Sequence, residues 1–386
     1  MTPQTDLRLL DLPPMDTAVR AARLRVALDT EGDGRAESLL VTKLVNIRWL
    51  TGFTGSAGLA LVRPDRILLV TDGRYRTQAG EQVAAAGVAE QVEIAIGTTI
   101  AAQTELLAAA TSDLESLALE AHAVTWADQR RYADELAPEL VASDGLIDRL
   151  RVTKDDGEIA RIEAAAAIAT EALANVGHRL WEGLTESAFG LELDTEMRRL
   201  GAASPSFETI VASGPNSAKP HHRPSGRPIV EGDLVVLDFG AKVDGYCSDM
   251  TRTVCIGEPS AEQQRILDVV TEAQAAGVAA VRGGAECRTV DAACRDVITA
   301  AGWGEAFSHG TGHGVGLEIH EDPRLSFAAP EGATLTSRSV VTVEPGVYLA
   351  GIGGVRVEDS LVVTDGGARS ITHAPKDPAW PSPPTT

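Results

Sequence analysis

The sequence predicts a two-domain protein of α/β (α+β) class, and three observations support this prediction. The chain has 386 residues, which is long for a single hydrophobic core. Residues 1–150 alternate short apolar strands with Ala-rich helical stretches. Residues 158–372 combine paired helical patterns with Val-rich antiparallel segments. The polar stretch RVTKDDGE lies between them, and we assign residues 151–157 as the linker.

Each predicted element has a local pattern. The leading domain has strand patterns in ESLLVT and LALVRPDRILLVT and helix patterns in TQAGEQVAAA and TTIAAQTELLAAA. The second domain begins with two long helix patterns, EIARIEAAAAIATEALANVGHRLW and TESAFGLELDTEMRRLGA, the latter ending near Gly201. AEQQRILDVVTEAQAAGVAAV and TVDAACRDVITAAG repeat that two-helix layout. The Pro-rich tail, 373–386, is predicted to be disordered at its end.

A hairpin is predicted within VVLDFGAKVDGYCSDMTRTVCI, where apolar runs flank Asp244-Gly245, a dipeptide that favours a tight turn. Asp238 and Asp249 then lie on neighbouring strands, and Glu344 and Glu358 repeat this pattern on two further strands. Ionised carboxylates are costly in apolar surroundings unless another charge compensates them.

His313, in HGTGHGVG, adds an imidazole to these four carboxylates. This ligand set suits two divalent cations side by side, although it leaves the metal open. Each residue also has an ordinary interpretation: a lone Asp at a strand end usually caps a turn, and Glu344 precedes Pro345. The ordinary interpretation needs five coincidences, so we favour the metal site.

Composition narrows the class of protein. The net charge is −21 and the pI is near 4.8, which argues against a nucleic-acid partner. Four cysteines without CxxC spacing indicate free thiols in a reducing compartment. The N-terminal residues contain no apolar signal region, and no apolar run has the length of a membrane span. We therefore expect a cytoplasmic protein with no membrane partner.

From about Glu158 to Asp365 the sequence resembles the pita-bread metallopeptidases, which include methionine aminopeptidase, aminopeptidase P and prolidase. SFETIVASGPNSAKPHH, HGTGHGVGLEIHEDPR and VEPGVYLAGIGGVRVED carry the resemblance, with the five ligand candidates in the same chain order. NIRWLTGFTGSAG and TDGRY resemble the creatinase/prolidase-like leading domain of the aminopeptidase P and prolidase branch. The resemblance implies such an α/β domain, then a curved antiparallel sheet covered by helices in two similar halves, and a homodimer.

The resemblance also implies roles for individual residues. Two divalent ions per subunit, Mn first and Co, Zn or Fe as alternatives, would be held by these metal ligands: Asp238, Asp249, His313, Glu344 and Glu358. Asp238 and Glu358 would bridge the ions, and Glu344 would also carry a proton from water to the leaving nitrogen.

Four further residues complete the implied site. His320 would stabilise the tetrahedral intermediate and His221 would lie near the scissile bond. His222 follows where a small residue is frequent, so the choice between His221 and His222 stays open. His309 would line the proline pocket, and Arg356 would pair with ligand carboxylates or substrate.

The implied reaction is metal-dependent hydrolysis of the bond before proline in proline-containing peptides. We expect an aminopeptidase P-like enzyme that releases the first residue, with prolidase, which cleaves only Xaa-Pro dipeptides, as the alternative. A non-catalytic peptide-binding module of the same fold is a lesser alternative, as is a hydrolase of a creatine-like molecule. Both usually lack these ligands.

Overall fold

A computed structural model describes residues 12–31 and 36–380 of the chain. The chain divides into two units, a leading unit of Met15–Arg151 and a second unit built mainly on Val152–Thr386. Residues 381–386, where the sequence predicts a disordered end, lie outside the described residues.

The leading unit is an α/β layer structure. Its elements are α1 (Thr17–Glu31), β1 (Leu39–Val41), α2 (Leu44–Thr51), β2 (Leu59–Val62), β3 (Ile67–Thr71), α3 (Arg76–Ala85), β4 (Val92–Ile96), α4 (Ile100–Thr111), β5 (Ser116–Glu120), α5 (Trp126–Glu135), β6 (Glu139–Ser143) and α6 (Leu146–Val152). They form a six-stranded sheet of order β4-β3-β2-β1-β5-β6. β2 is antiparallel to its neighbours, and the other pairs are parallel. The strands and helices that the sequence predicts here are confirmed.

The second unit contains four α-helices and thirteen strands among its described residues. They are α7 (Asp156–Val176), α8 (Glu186–Arg199), β7 (Ser204–Pro205), β8 (Ile210–Ser213), β9 (Leu234–Phe239), β10 (Ala241–Val243), β11 (Tyr246–Cys247), β12 (Met250–Cys255), α9 (Ala261–Ala280), α10 (Cys287–Ala300), β13 (Gly312–Gly314), β14 (Glu321–Leu325), β15 (Val340–Val343), β16 (Gly346–Leu349), β17 (Gly353–Arg356), β18 (Asp359–Thr364) and β19 (Gly367–Ser370). All four predicted helices form. α7 ends earlier than predicted, because the chain tightens into a 3-10 helix at Gly177–Glu182.

Capping side chains fix where two of these helices begin. Asp155 accepts from the backbone of Glu158 at the start of α7, and the Glu158 side chain accepts from the backbone of Asp155 in return. Ser260 and Gln263 form the same reciprocal capping box at the start of α9. Each box satisfies backbone donors that a helix start leaves unpaired.

Antiparallel pairing organises the strands of the second unit. Four sheets form, with the strand orders β11-β10-β7, β12-β9-β8, β14-β13-β15-β18-β19 and β16-β17. The predicted hairpin turn is confirmed: Asp244 and Gly245 both have positive φ, 43° and 79°, as a tight two-residue hairpin turn requires.

Two hydrophobic cores give the second unit its two similar halves. α7 and α8 pack with residues of β8, β9, β10 and β12 in one core. α9 and α10 pack with residues of β15 to β18 in the other. Each pair of helices thus covers antiparallel strands, as the resemblance implies.

Three placements differ from the prediction that Asp249, Glu344 and Glu358 lie within strands. Asp249 immediately precedes β12. Glu344 directly follows β15, and Glu358 lies between β17 and β18. Pro345 has no backbone donor, so β15 cannot continue through it. These carboxylates therefore lie at strand ends, where neighbouring sheets meet.

Four cysteines, Cys247, Cys255, Cys287 and Cys294, are buried free thiols. Across residues 12–31 and 36–380, no helix has the apolar length that a bilayer crossing needs.

Candidate active site

Three carboxylates lie close together where the sheets of the second unit meet. One oxygen from each of Asp238, Asp249 and Glu358 lies within 4.8 Å of the other two. Asp238 is in β9, opposite Thr251 of β12, and Asp249 immediately precedes β12. The pairing of β9 with β12 therefore sets two of the three acidic groups side by side, and the connection from β17 to β18 supplies the third.

His313 joins the cluster through one ring nitrogen. Its Nε2 lies 3.6 Å from Oδ2 of Asp249 and 3.4 Å from Oε1 of Glu344. Its Nδ1 is 3.0 Å from the carbonyl oxygen of Gly314, which can only accept a hydrogen bond. The proton therefore resides on Nδ1, and Nε2 presents a lone pair to the carboxylates.

The glycines around His313 are required by close packing. A Cβ at Gly312 would collide with the carbonyl oxygen of Thr342, and a Cβ at Gly314 would collide with that of Asp322. Only glycine fits at either position, because each backbone approaches a neighbouring strand too closely for a side chain. The glycine-rich motif thus holds His313 between β14 and β15.

Two fully buried carboxylate oxygens in the cluster have no hydrogen-bond donor among the described residues. Thr251 donates to Oε2 of Glu358 at 2.7 Å, and Arg356 donates to Oδ2 of Asp238 at 2.5 Å. The other oxygens, Oδ1 of Asp238 and Oε1 of Glu358, are buried without a partner in the part of the chain that the structure describes. Buried polar atoms are nearly always paired, so these two indicate a missing partner. Carboxylate oxygens beside an unprotonated imidazole nitrogen fit a divalent cation.

Burial and mutual repulsion alter the acidity of the cluster. Burial, then the charges of neighbouring carboxylates, raise the pKa of Asp249 and of Glu358 well above the ordinary range. Burial raises the pKa of Glu344 to about 7. Burial also lowers the pKa of His313 to about 3. Without a cation, the site therefore favours protonated, neutral carboxyl groups and a neutral imidazole. A bound cation would instead favour the ionised carboxylates.

A hydrogen-bonded chain leads from the cluster to His309. Arg356 donates from Nη1 to the hydroxyl of Tyr348 at 2.8 Å, and that hydroxyl lies 3.0 Å from Nε2 of His309. Nδ1 of His309 is 2.8 Å from the carbonyl of Gly310, so it carries the proton and Nε2 accepts from Tyr348. Burial, then the charge of Arg356, lower the pKa of His309 to about 4. His309 therefore presents a neutral ring whose nitrogens are both engaged.

A cavity of about 670 Å³ opens at the cluster, and all nine residues that the sequence predicts for the site line it. This volume is in the range of small-ligand sites. His320 packs its ring against His313 at 4.4 Å between centroids. Burial, then the charge of Arg324, lower its pKa.

The two adjacent histidines differ in their surroundings. Nε2 of His222 lies 2.9 Å from Oε2 of Glu186, a carboxylate with no exposed side-chain surface. His221 is exposed at the cavity. Both histidines line the cavity, but the His222 ring is bonded to Glu186, whereas His221 is the more exposed of the two.

Sequence reasoning missed several polar residues at the site. Thr251 and Tyr348 contact the cluster and Arg356, and their motifs, DMTRT and PGVYL, give no chemical signal. Arg324 lines the cavity and forms no ion pair within the described part of the chain. The sequence feature that could have indicated Arg324 is its position as the one arginine in the otherwise acidic stretch EIHEDPR.

Comparisons with known proteins agree with this geometry. The model of metallopeptidase family M24 matches residues 160–365, and that of the creatinase/prolidase N-terminal domain matches residues 20–153. An uncharacterized peptidase of Bacillus subtilis is 43% identical over 342 residues, covering 88% of this chain and 95% of the relative.

Two solved structures are also similar over nearly their whole length. A Xaa-Pro dipeptidase from Bacillus anthracis has a TM-score of 0.88 and 39% identity, covering 94% of this chain and 99% of that one. An X-Pro aminopeptidase from Thermotoga maritima has a TM-score of 0.83 and 32% identity, covering 93% and 99%.

Proposed function

The chain belongs to metallopeptidase family M24, and we propose that it hydrolyses the peptide bond before proline and releases the N-terminal residue of its substrate. The observation that carries the proposal is the pair of buried oxygens, on Asp238 and Glu358, that have no partner among the described residues. They belong to a carboxylate cluster with Asp249, whose Oδ2 lies 3.6 Å from Nε2 of His313 at the cavity. Burying ionised carboxylate oxygens without a partner is energetically unfavourable unless a cation binds to them. One similar structure is named a Xaa-Pro dipeptidase and another an X-Pro aminopeptidase, and both names support the bond before proline as the target.

Two divalent cations, Mn²⁺ first, would be held by Asp238, Asp249, His313, Glu344 and Glu358. When bound, such cations lower the pKa of a water molecule and polarise a carbonyl oxygen. Asp238 and Glu358 each have one oxygen bonded to a donor and one buried oxygen without a partner among the described residues, and that second oxygen would be available to a cation.

Glu344 is the proposed proton carrier. Its Oε1 receives a weak hydrogen bond from Thr342 at 3.3 Å and lies at the cavity wall. It would take a proton from water and deliver it to the proline nitrogen. That nitrogen has no proton of its own in the peptide, so it leaves as a neutral amine only after receiving one.

The histidines have different tasks in this proposal. His221 and His320 face the cavity and would donate to the oxygen that becomes negative as the carbonyl is attacked. His309 would form a neutral wall for the proline ring, because neither of its ring nitrogens is free. Arg356 would orient Asp238 and, through Tyr348, His309.

Arg324 favours the second candidate function, a prolidase that accepts only dipeptides. A dipeptide ends in a carboxylate close to the scissile bond. The Arg324 guanidinium, which forms no ion pair with any described residue, lies at the cavity wall and would bind that carboxylate. An aminopeptidase does not need this contact, because its substrate continues past proline.

Hydrolysis of Ala-Pro-Ala and of Ala-Pro by the Mn²⁺-loaded chain separates the candidates. Cleavage of the tripeptide between alanine and proline supports the aminopeptidase. Cleavage of the dipeptide alone transfers the assignment to prolidase. Binding of metal and peptide with no hydrolysis of either would contradict the enzymatic proposal. The homodimer and the cytoplasmic location stay predictions.

A further inference from the structure

The leading unit contains a polar cavity of about 240 Å³ that the proposed function does not use. It lies where the strand order of the sheet reverses. From β1 the chain builds outward through β2, β3 and β4, and then returns to place β5 on the other side of β1. In open α/β sheets, ligands bind outside the carboxyl ends of the strands at such a reversal.

The lining residues come from the elements that this rule specifies. Thr42 directly follows β1, while Ala123 and Val124 follow β5, its parallel neighbour. Asp128 and Arg131 are contributed by α5, which begins just after β5. The cavity thus lies at the carboxyl edge of the parallel pair β1 and β5.

Glu120 fixes the backbone at this edge of the sheet. Its Oε2 accepts from the backbone nitrogens of Thr42 and Lys43 at 2.7 and 2.9 Å, and its Oε1 accepts from Asn46 at 2.7 Å. The last residue of β5 therefore fixes the backbone that follows β1. A preformed cavity binds a ligand without the entropic cost of ordering its own wall.

Two lining side chains have polar atoms that lack partners. Oγ1 of Thr42 and Nε of Arg131 are buried and form no hydrogen bond within residues 12–31 and 36–380. Arg131 donates from Nη2 to Oδ1 of Asp128 at 2.6 Å, so the wall presents one positive and one negative group side by side. Such a wall is matched by a ligand with both charges and no net charge.

We propose that this cavity binds a small zwitterion the size of an α-amino acid. The carboxylate of the ligand would accept from Arg131 and Thr42, and its ammonium group would donate to Asp128. The volume is below the ~300 Å³ at which sites for drug-sized ligands begin, so the side chain of the ligand is small. The proposal stands whether or not the second unit is a peptidase.

Calorimetric titration of the full Mn²⁺-loaded chain tests this proposal, with glycine, L-alanine and L-proline as zwitterions. Acetate and ethylammonium each offer only one of the two charges. We expect the zwitterions to bind roughly tenfold or more tightly than either single-charge probe. Equal binding of acetate, or no binding of any zwitterion at millimolar concentration, would overturn the proposal.

Variants locate the site. Arg131→Met should weaken zwitterion binding at least roughly tenfold, whereas Arg130→Met, at the exposed neighbouring position, should leave it unchanged. Thr42→Val keeps the side-chain shape and removes only the hydroxyl, so it tests the cavity even if Arg131→Met folds poorly. Unchanged binding in Thr42→Val and in a folded Arg131→Met would refute the site.

An amino acid can also bind in the cavity of the second unit, as the product of the proposed peptidase. Asp249→Asn separates the two locations because it alters only the candidate metal cluster. Binding that persists in Asp249→Asn and is lost in Arg131→Met supports the site in the leading unit. Binding lost in Asp249→Asn and kept in Arg131→Met places the ligand in the other cavity and rejects this inference.

Discussion

Glu186→Gln is the substitution for which the structure gives the clearest magnitude. The Glu186 carboxylate accepts from the backbone nitrogens of Ser213 and Ser225 at 2.7 and 3.0 Å and from their hydroxyls at 2.8 and 2.6 Å. Asn216 and His222 add contacts at 3.0 and 2.9 Å. Burial alone would raise its pKa, but these bonds prevail and lower it from 4.5 to about 2.

The pKa difference sets the size of the effect. The lowering corresponds to about 3 kcal/mol in favour of the ionised form. Glutamine keeps part of the hydrogen bonding, so we expect Glu186→Gln to cost on the order of 2 kcal/mol at pH 7. Because the pKa falls on folding, this stabilisation is present above about 4.5 and is lost as the pH falls toward 2.

Hydrogen exchange of residues 213–225 measures this loss locally, which avoids assuming two-state unfolding of a two-unit chain. About 2 kcal/mol corresponds to roughly 30-fold faster exchange. Because this segment carries His221, kcat/KM for the proline peptide should also fall. Metal content should be unchanged, since Glu186 contacts none of the proposed ligands.

Glu192→Gln is the matched control. Glu192 lies on the same helix, and its partner is Arg179 in a half-exposed ion pair at 2.8 Å. Such pairs contribute at most about 1 kcal/mol. If Glu186→Gln exchanges no faster in residues 213–225 than Glu192→Gln, the buried carboxylate does not hold the loop and this reasoning fails.

Three further predictions concern the cavity of the second unit. Asp249→Asn should remove most bound Mn²⁺ and most activity while leaving the circular dichroism unchanged; two retained metals with normal turnover would refute the ligand assignment. Arg324→Met should raise KM for Ala-Pro roughly tenfold or more and change KM for Ala-Pro-Ala much less, if the guanidinium binds a dipeptide carboxylate. Asp249, Glu344 and Glu358 have raised pKa values, so the metal-free folded chain holds protons that the unfolded chain releases. Its melting temperature should therefore fall as pH rises above about 6.5, where the histidines of the unfolded chain have lost most of their protons and no longer add an opposing effect. Mn²⁺ should abolish that fall, and a chelated sample with no pH dependence would contradict the prediction.

Local sequence patterns predict much of this fold. The Asp244-Gly245 turn, the capped helices and the chain order of the ligand motifs follow from short-range signals. β4 and β6 were missed because their partly exposed residues give no continuous apolar run. Each pairs with the strand directly before it in the chain, across one intervening α-helix.

The polar support of the site depends on contacts between distant residues. Glu186 reads from sequence as an acidic residue in the first turn of a helix behind the cap Thr185, which is an ordinary position for it. Its actual partners lie 27 to 39 residues further along the chain. Thr251 and Glu358 are separated by 107 residues. A single sequence contains no local pattern for such pairs.

The charge of the assembled cluster bears on how many cations it would hold. Four carboxylates of the cluster, on Asp238, Asp249, Glu344 and Glu358, face the cavity, and among the described residues Arg356 supplies the one guanidinium bonded to them. When all are ionised and His313 is neutral, the net charge is about −3. One divalent cation would leave the group negative, which repels an electron-rich carbonyl. Two would make it positive, which suits an attacking water that gives up a proton to Glu344. Arg356 thus offsets part of the repulsion before metal binds and still leaves a charge that a single ion does not balance.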